Sequence, residues 1–396
     1  MSMPGGNETP RKGCPGNQKG EKKMAKTARE QLESHNCYER AKTLEYWQTV
    51  PYPHKVAHAK KLIYDFYNHE EVKGMTRISV GGLDSITLLC LIRSMGFTAD
   101  QIPAVSVSVL EDKSIQKVHK ALGVIGLKPQ KSKREVIEEF GYPIISKEMA
   151  NRIRILQNPT EKNATIRHAM ITGETGEFGG YQKDSRMKIA DKWLRLFGGA
   201  DPEGAALGYK SAPFKVSDQC CFWLKEKPMQ DYQAESGRYP YLGLMASEGG
   251  RRAFALKHWG CNYVSPTVKR SAPFASFMRD DVLRLALEMN DWYQEHWSEI
   301  NPNPEEKVYS IIPAIYGKII VKKDGTRETT KAKRTGCSMC AFGVQLEKRP
   351  NRFDRLYMRN RKEWDYYMFT MGFGKVLDYI GVGWEPYPIQ LNFLEE

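Results

Sequence analysis

The sequence predicts an α/β fold, a doubly wound parallel sheet with a helical lead-in and a loop-rich C-terminal region, on three observations. Residues 75–80 read as a short strand that meets Gly81 and Gly82 and then the apolar stretch 86–92, which is the order strand, turn, buried helix. Past Gly96, Val105, Val107 and Val109 alternate with serines as a strand requires, leading to Leu110 and Glu111. Residues 239–245 read as a later strand, and Val282, Leu285, Met289 and Trp292 make an apolar stripe on a helix that opens at Arg279, Asp280 and Asp281.

Taken in order, residues 1–30 mix Gly, Pro, Lys and Asn with scarcely any large apolar side chain, too few to offset the entropy of ordering, and read as a disordered basic tail. Residues 31–70 are a helical lead-in with Leu62, Ile63 and Phe66 on one side. Residues 71–300 are expected to form the main α/β domain, in which Ser114 is placed to cap a helix carrying Ile115, Val118 and Leu122 on one face. Residues 301–396 are a basic C-terminal region, with residues 331–334 leading to a cysteine pair. No internal repeat is present.

The chain has 396 residues and a formal net charge of +13, a surplus that favours polyanionic partners such as nucleic acid, or phosphate-bearing substrates. No apolar run is long enough to span a bilayer, and the first residues, MSMPGGNETPRKG, lack a secretory segment, so a cytoplasmic protein with no membrane partner is expected. Eight cysteines are too few for a disulfide scaffold in a chain of this size, and a reducing compartment leaves them as thiols or metal ligands.

Two patterns carry chemistry. Gly81 and Gly82 after a strand, with Asp84 and Ser85 opening a helix, read as a phosphate site or as a plain strand-to-helix turn: glycines let the backbone approach an anion, while free amides and the helix dipole attract it. In an open α/β sheet the ligand lies beyond the carboxyl ends of the strands, which brings Glu111 to the rim, there to meet a ribose hydroxyl or a metal, or to remain an exposed loop carboxylate. The second pattern is Cys220 with Cys221, and Cys337 with Cys340, 115 residues lying between the pairs. Four thiolates hold a tetrahedral zinc or a [4Fe-4S] cluster. Cys261 is a reactive thiol able to carry a persulfide, a substitute ligand, or a buried spectator. Cys90 sits in an apolar helix as core, and Cys14 and Cys37 carry no motif.

The string Gly81-Gly82-Leu83-Asp84-Ser85 resembles the PP-loop, Ser-Gly-Gly-x-Asp-Ser, of the adenine nucleotide alpha hydrolase superfamily, with Val80 in place of the first serine. Cys220-Cys221 with Lys227 and Pro228 after it, and Cys337-Ser338-Met339-Cys340, resemble the Cys-Cys and Cys-x-x-Cys halves by which adenylylsulfate reductases hold [4Fe-4S]. Residues 243–248, ending in Glu248 and followed by Arg251 and Arg252, are similar to the segment by which phosphoadenylylsulfate (PAPS) and adenylylsulfate reductases approach the nucleotide's anionic end. Pro273-Phe274 and residues 280–283 resemble that family's next helix entry, so the likeness runs from about residue 75 to 345.

The resemblance implies nucleotide contacts from Gly81, Gly82, Asp84, Ser85, Glu248 and Arg251, cluster ligation by Cys220, Cys221, Cys337 and Cys340, and catalytic roles for Asp84 and Ser85; Glu111 at the rim is a further candidate contact, and Cys261 the candidate catalytic thiol that would have to stand in for the family's nucleophile. Reductases of this family attack their substrate with a cysteine near the C-terminus, whereas residues 390–396 contain none. The expected function is therefore ATP- and Mg²⁺-dependent activation of a nucleic-acid or small acceptor, followed by sulfur transfer from a sulfur donor. The alternatives are a PAPS or adenylylsulfate reductase with an atypical nucleophile and a thioredoxin-like reductant, or a non-catalytic nucleotide-binding scaffold or sensor.

Overall fold

The computed structural model describes residues 28–174, 186–301, 304–338 and 340–386. The tail expected at residues 1–30 lies almost wholly outside these, as do Cys14 and the terminal residues 390–396. The chain is α/β with a mostly parallel central sheet. In chain order the strands are β1 (Thr76–Ser79), β2 (Ala104–Ser106), β3 (Ile125–Gly126), β4 (Ile144–Ile145), β5 (Tyr239–Tyr241), β6 (Asn262–Val264), β7 (Lys269–Ser271), β8 (Ile319–Val321), β9 (Arg327–Thr329) and β10 (Ala341–Phe342).

Two compact units divide the chain, one ending at Gly126 and resuming over Gln233–Thr335, the other comprising Leu127–Tyr232 and residues from Gly336 onward. These bounds differ from the sequence reading, which kept residues 127–232 within one domain running from 71 to 300.

The first unit holds the six-stranded sheet, in the order β3-β2-β1-β5-β7-β6. All its pairings are parallel except β6 with β7. From β1 the chain moves outward through β2 to β3, and later returns to the other flank of β1 at β5. The strand order therefore reverses between β1 and β5, and their carboxyl ends open a crevice there.

Helix Leu83–Ser94 follows β1 and is apolar all round, so it is buried on almost every side, Ile86, Leu88, Leu89, Leu91 and Ile92 among the core. Each such side chain contributes roughly 1.5–3 kcal/mol relative to exposure. Helix Arg279–Ile300 packs against it. The start of that helix is fixed by Asp281, whose carboxylate accepts the Met278 N–H at 2.8 Å and the buried Lys55 ammonium at 2.8 Å. The lead-in is two helices, Ala28–Thr49 and Tyr52–Asn68, the second burying Ile63 and Phe66.

Three local readings change. The strand expected through Val109 stops at Ser106, because Ser108–Leu110 turns into a 3-10 helix. The strand expected over 239–245 stops at Tyr241. Asp112 rather than Ser114 caps helix Lys113–Ala121: the Asp112 carboxylate accepts the Ser114 N–H at 2.9 Å, while Ser114 accepts the Ile315 N–H at 3.1 Å.

In the second unit, helices Arg352–Arg359, Arg361–Asp365 and Phe373–Tyr379 occupy much of the stretch expected to be loop-rich. One extended segment, residues 142–145, organises this unit. Tyr142 bridges Val216, four residues before Cys220, and β4 pairs in parallel with β10, whose Ala341 directly follows Cys340. Gly141, at φ 104°, lets the Lys215 backbone close in, since a Cβ there would stand 2.4 Å from the Lys215 carbonyl carbon.

Candidate functional site

The first unit carries a cavity of about 280 Å³ in the crevice between β1 and β5. Ser79 and residues 82–85 form one wall and residues 242–244 the other. Gly243 packs closely enough that a Cβ would lie 3.1 Å from the Ser85 nitrogen. The Ser85 hydroxyl accepts the Gly81 N–H at 2.7 Å and donates to the Gly82 carbonyl at 2.9 Å, which holds the turn open. Buried His119 donates from Nε2 to the Gly81 carbonyl at 2.8 Å, since a carbonyl only accepts, and its Nδ1 meets the Ser108 hydroxyl at 2.8 Å. Among the described residues no acceptor meets the N–H groups of Gly82, Asp84 or Ser85. Val80 lies in the apolar core and takes no part.

Charge surrounds this turn. Asp84 pairs with Arg279, which also donates to the Lys333 carbonyl at 3.2 Å. Burial pushes the Asp84 carboxyl above the usual range and the Arg279 guanidinium pulls it back. Glu248, its side chain 4% exposed, pairs with Arg252 and, at 3.4 Å, with Arg334. Three arginines and Lys333 thus face two carboxylates, leaving a cationic surplus that suits an anionic ligand.

Of the predicted contacts, Gly82, Asp84, Ser85 and Glu248 line the cavity, and the Glu111 carboxylate reaches within 3.9 Å of where a Gly81 Cβ would stand. Arg251 is exposed at the start of helix Gly250–Trp259, and the neighbouring Arg252 lines the cavity instead. Arg279, Tyr316, Lys333, Arg334 and Thr335 were not found from sequence. They come from distant segments, and only the order of the Asp280-Asp281 helix entry pointed near any of them.

Cys261 is not brought to the cavity. It packs against Leu44, Ala246, Leu256, Ala272 and Ala275. Burial pushes its thiol up to about 11, partly opposed by Arg270. Labelling of Cys261 by iodoacetamide is expected to speed up about tenfold per pH unit between about pH 7 and pH 10, as the thiolate fraction grows. A rate that mass spectrometry finds flat over that window would mean a resident thiolate. Cys90 is core, pushed up to about 12 by burial.

The second unit holds all four motif cysteines. Cys220 and Cys221 end a short helical turn that runs into one turn of π-helix, Phe222–Glu226, a distortion that recurs at functional sites. Cys220 donates to Cys221, which raises its own pKa, and burial and the nearby Cys221, Cys340 and Cys337 add to the rise. Accepting that bond lowers Cys221 to about 7 against the effect of burial, with Lys147 and Lys225 helping. Cys340 is raised by burial, while Arg352 and Lys225 favour its thiolate. The Cys340 N–H donates to the Cys337 carbonyl at 2.9 Å, closing the Cys-x-x-Cys turn, and Arg352 donates to the Cys340 carbonyl at 3.0 Å.

The four sulfurs therefore act on one another's charge, beside Lys147, Lys225 and Arg352. Four soft donors amid cations fit an anionic cluster. Among the described residues no three His, Cys, Asp or Glu side chains gather about a single ion. That leaves a cluster open, because each thiolate of [4Fe-4S] binds a different iron.

No helix among the described residues is long and apolar enough to cross a membrane. Comparisons of the chain with family models, curated proteins and solved structures found no match.

Proposed function

We propose that this chain is a PAPS reductase-like, PP-loop nucleotide-binding enzyme of the cytoplasm, its first unit following the doubly wound adenine nucleotide alpha hydrolase plan. In this reading it uses ATP and Mg²⁺ to activate an oxygen of a nucleic-acid or small acceptor for replacement by sulfur. The supporting observation is the cradle itself: three amides without acceptors at the N-terminus of helix Leu83–Ser94, at the strand-order reversal, ringed by Arg252, Arg279, Arg334 and Lys333.

The amides of Gly82, Asp84 and Ser85 donate to phosphate oxygens. Arg279 and Lys333 offset the charge that collects on the leaving pyrophosphate. The acceptor oxygen bonds to the α-phosphorus as the α–β phosphoanhydride breaks, and pyrophosphate leaves with the electron pair. Sulfur from a donor, at the oxidation level of hydrosulfide, then displaces AMP, which carries the acceptor oxygen away. Cys220, Cys221, Cys337 and Cys340 hold the [4Fe-4S] cluster, which when bound supplies sulfur or electron chemistry.

Charge supports a polyanionic acceptor. Hairpin β8–β9 exposes Lys318, Lys322 and Lys323, and both of its ends return to the cavity, one at Tyr316 and the other at residues 333–335.

The test is anaerobic turnover with ATP, Mg²⁺ and RNA or DNA oligonucleotides. Equal amounts of AMP and pyrophosphate, released only when acceptor is present, are expected. Sulfite formed from PAPS or adenylylsulfate with a thioredoxin-like reductant would replace this reading by the reductase one. Nucleotide binding without release would leave a scaffold or sensor.

A further inference from the structure

Tyr316 arrives at the phosphate loop from 233 residues away and is 3% exposed. Its hydroxyl accepts the Leu83 N–H at 3.1 Å and lies 2.8 Å from the Thr335 hydroxyl. The approach is possible because residue 82 is glycine: a Cβ there would stand 2.3 Å from the Tyr316 oxygen.

The segments that carry the two hydroxyls are tied together. The Lys331 N–H donates to the Tyr316 carbonyl at 3.1 Å and the Ala332 N–H to the Ile315 carbonyl at 3.2 Å, so Tyr316 is tied to the segment that leads on to Thr335. The hydroxyl on the loop is thus part of a braced wall rather than a side chain that happens to rest there.

The protons can be counted. Two hydroxyls bring two protons, and the bond between them uses one. The phenol oxygen already accepts from Leu83, and no other acceptor for either hydroxyl occurs among the described residues. One hydroxyl proton is left over at the wall of a cavity that both residues line, and it is the phenol's when the Thr335 hydroxyl donates to the phenol oxygen. A donor left without an acceptor away from water costs about 1–3 kcal/mol, which an anionic oxygen in the cavity would relieve. Burial holds the Tyr316 pKa above its ordinary value, so the group stays a neutral donor.

We infer that Tyr316, supported by Thr335, is a phosphate-binding hydroxyl of the nucleotide site, supplying from a distant segment a donor that the loop, with Val80 buried in the core, does not supply itself. The inference rests on the proposed nucleotide reading of this cavity. It makes Tyr316 a determinant of affinity for the ligand's phosphates and leaves the nucleoside to other contacts.

Calorimetric titration of wild type and Tyr316→Phe with ATP and with adenosine tests it. The substitution keeps the ring and removes one oxygen. ATP affinity is expected to fall about tenfold, with adenosine affinity changed less than about twofold; loss of the acceptor of the Leu83 N–H lowers the melting temperature of the free protein in its own right, so both proteins are titrated well below their melts. ATP binding that is equal or tighter in Tyr316→Phe, or an equal loss for ATP and adenosine, would overturn the inference while leaving the nucleotide site standing. Wild type that binds no ATP would remove the nucleotide reading, and this inference with it.

Discussion

Gly82→Val is expected to weaken ATP binding at least about a hundredfold, which is roughly 2.7 kcal/mol at 1.36 kcal/mol per tenfold change. The backbone at Gly82 has φ −82° and ψ −164°, a conformation that other residues adopt readily, so the requirement for glycine there is steric. A Cβ would meet the Tyr316 oxygen at 2.3 Å and the Thr335 oxygen at 3.0 Å. Neither oxygen is the loose end of a flexible chain, because Leu83 holds the Tyr316 oxygen and that oxygen holds the Thr335 hydroxyl. The loop or the wall must move, and either movement disrupts the three open amides. Calorimetry reads the affinity and a thermal melt reports whether the fold survives. Binding within about twofold of wild type would show that the cavity is not where the triphosphate sits.

The second large effect concerns iron. After anaerobic purification, wild type is expected to hold about four irons and four sulfides per chain. Serine at Cys220, Cys221, Cys337 or Cys340 should lower this below about one and also lower the melting temperature, since a bound centre stabilises the fold that holds it. Cys261→Ser is expected to keep the full content, because Cys261 packs in the other unit against an apolar cluster. Iron lost equally from Cys261→Ser, or retained in Cys337→Ser, would overturn the ligand assignment. Zinc in place of iron would keep the four ligands and change the chemistry.

What was legible in the sequence was local. Gly81, Gly82, Asp84 and Ser85 show themselves because strand, turn and helix follow within a few residues. The cysteine pairs show themselves by spacing. The walls of the cavity were hidden: nothing near Tyr316 or Thr335 marks them, and Arg279 gains its meaning only when Asp281 and Lys55 fix the start of its helix against Leu83–Ser94. The alternation at Val105, Val107 and Val109 was real but misled, since the chain turns at Ser108, whose hydroxyl meets His119. Helix caps were legible only to within two residues, as Asp112 against Ser114 shows. The bounds of the two units are not legible in the sequence, where nothing marks that residues 142–145 contact two segments far apart in the chain.

That shared strand also sets an order of events during synthesis. Tyr142 has its partner Val216 as soon as the ribosome has released that stretch, but β4 must wait for Ala341 and Phe342. Cys220 and Cys221 therefore emerge with 115 residues still to be translated before Cys337 appears. A nascent chain stalled short of Cys337 would carry two of the four proposed ligands, and under the cluster proposal iron is loaded only once Cys340 has followed.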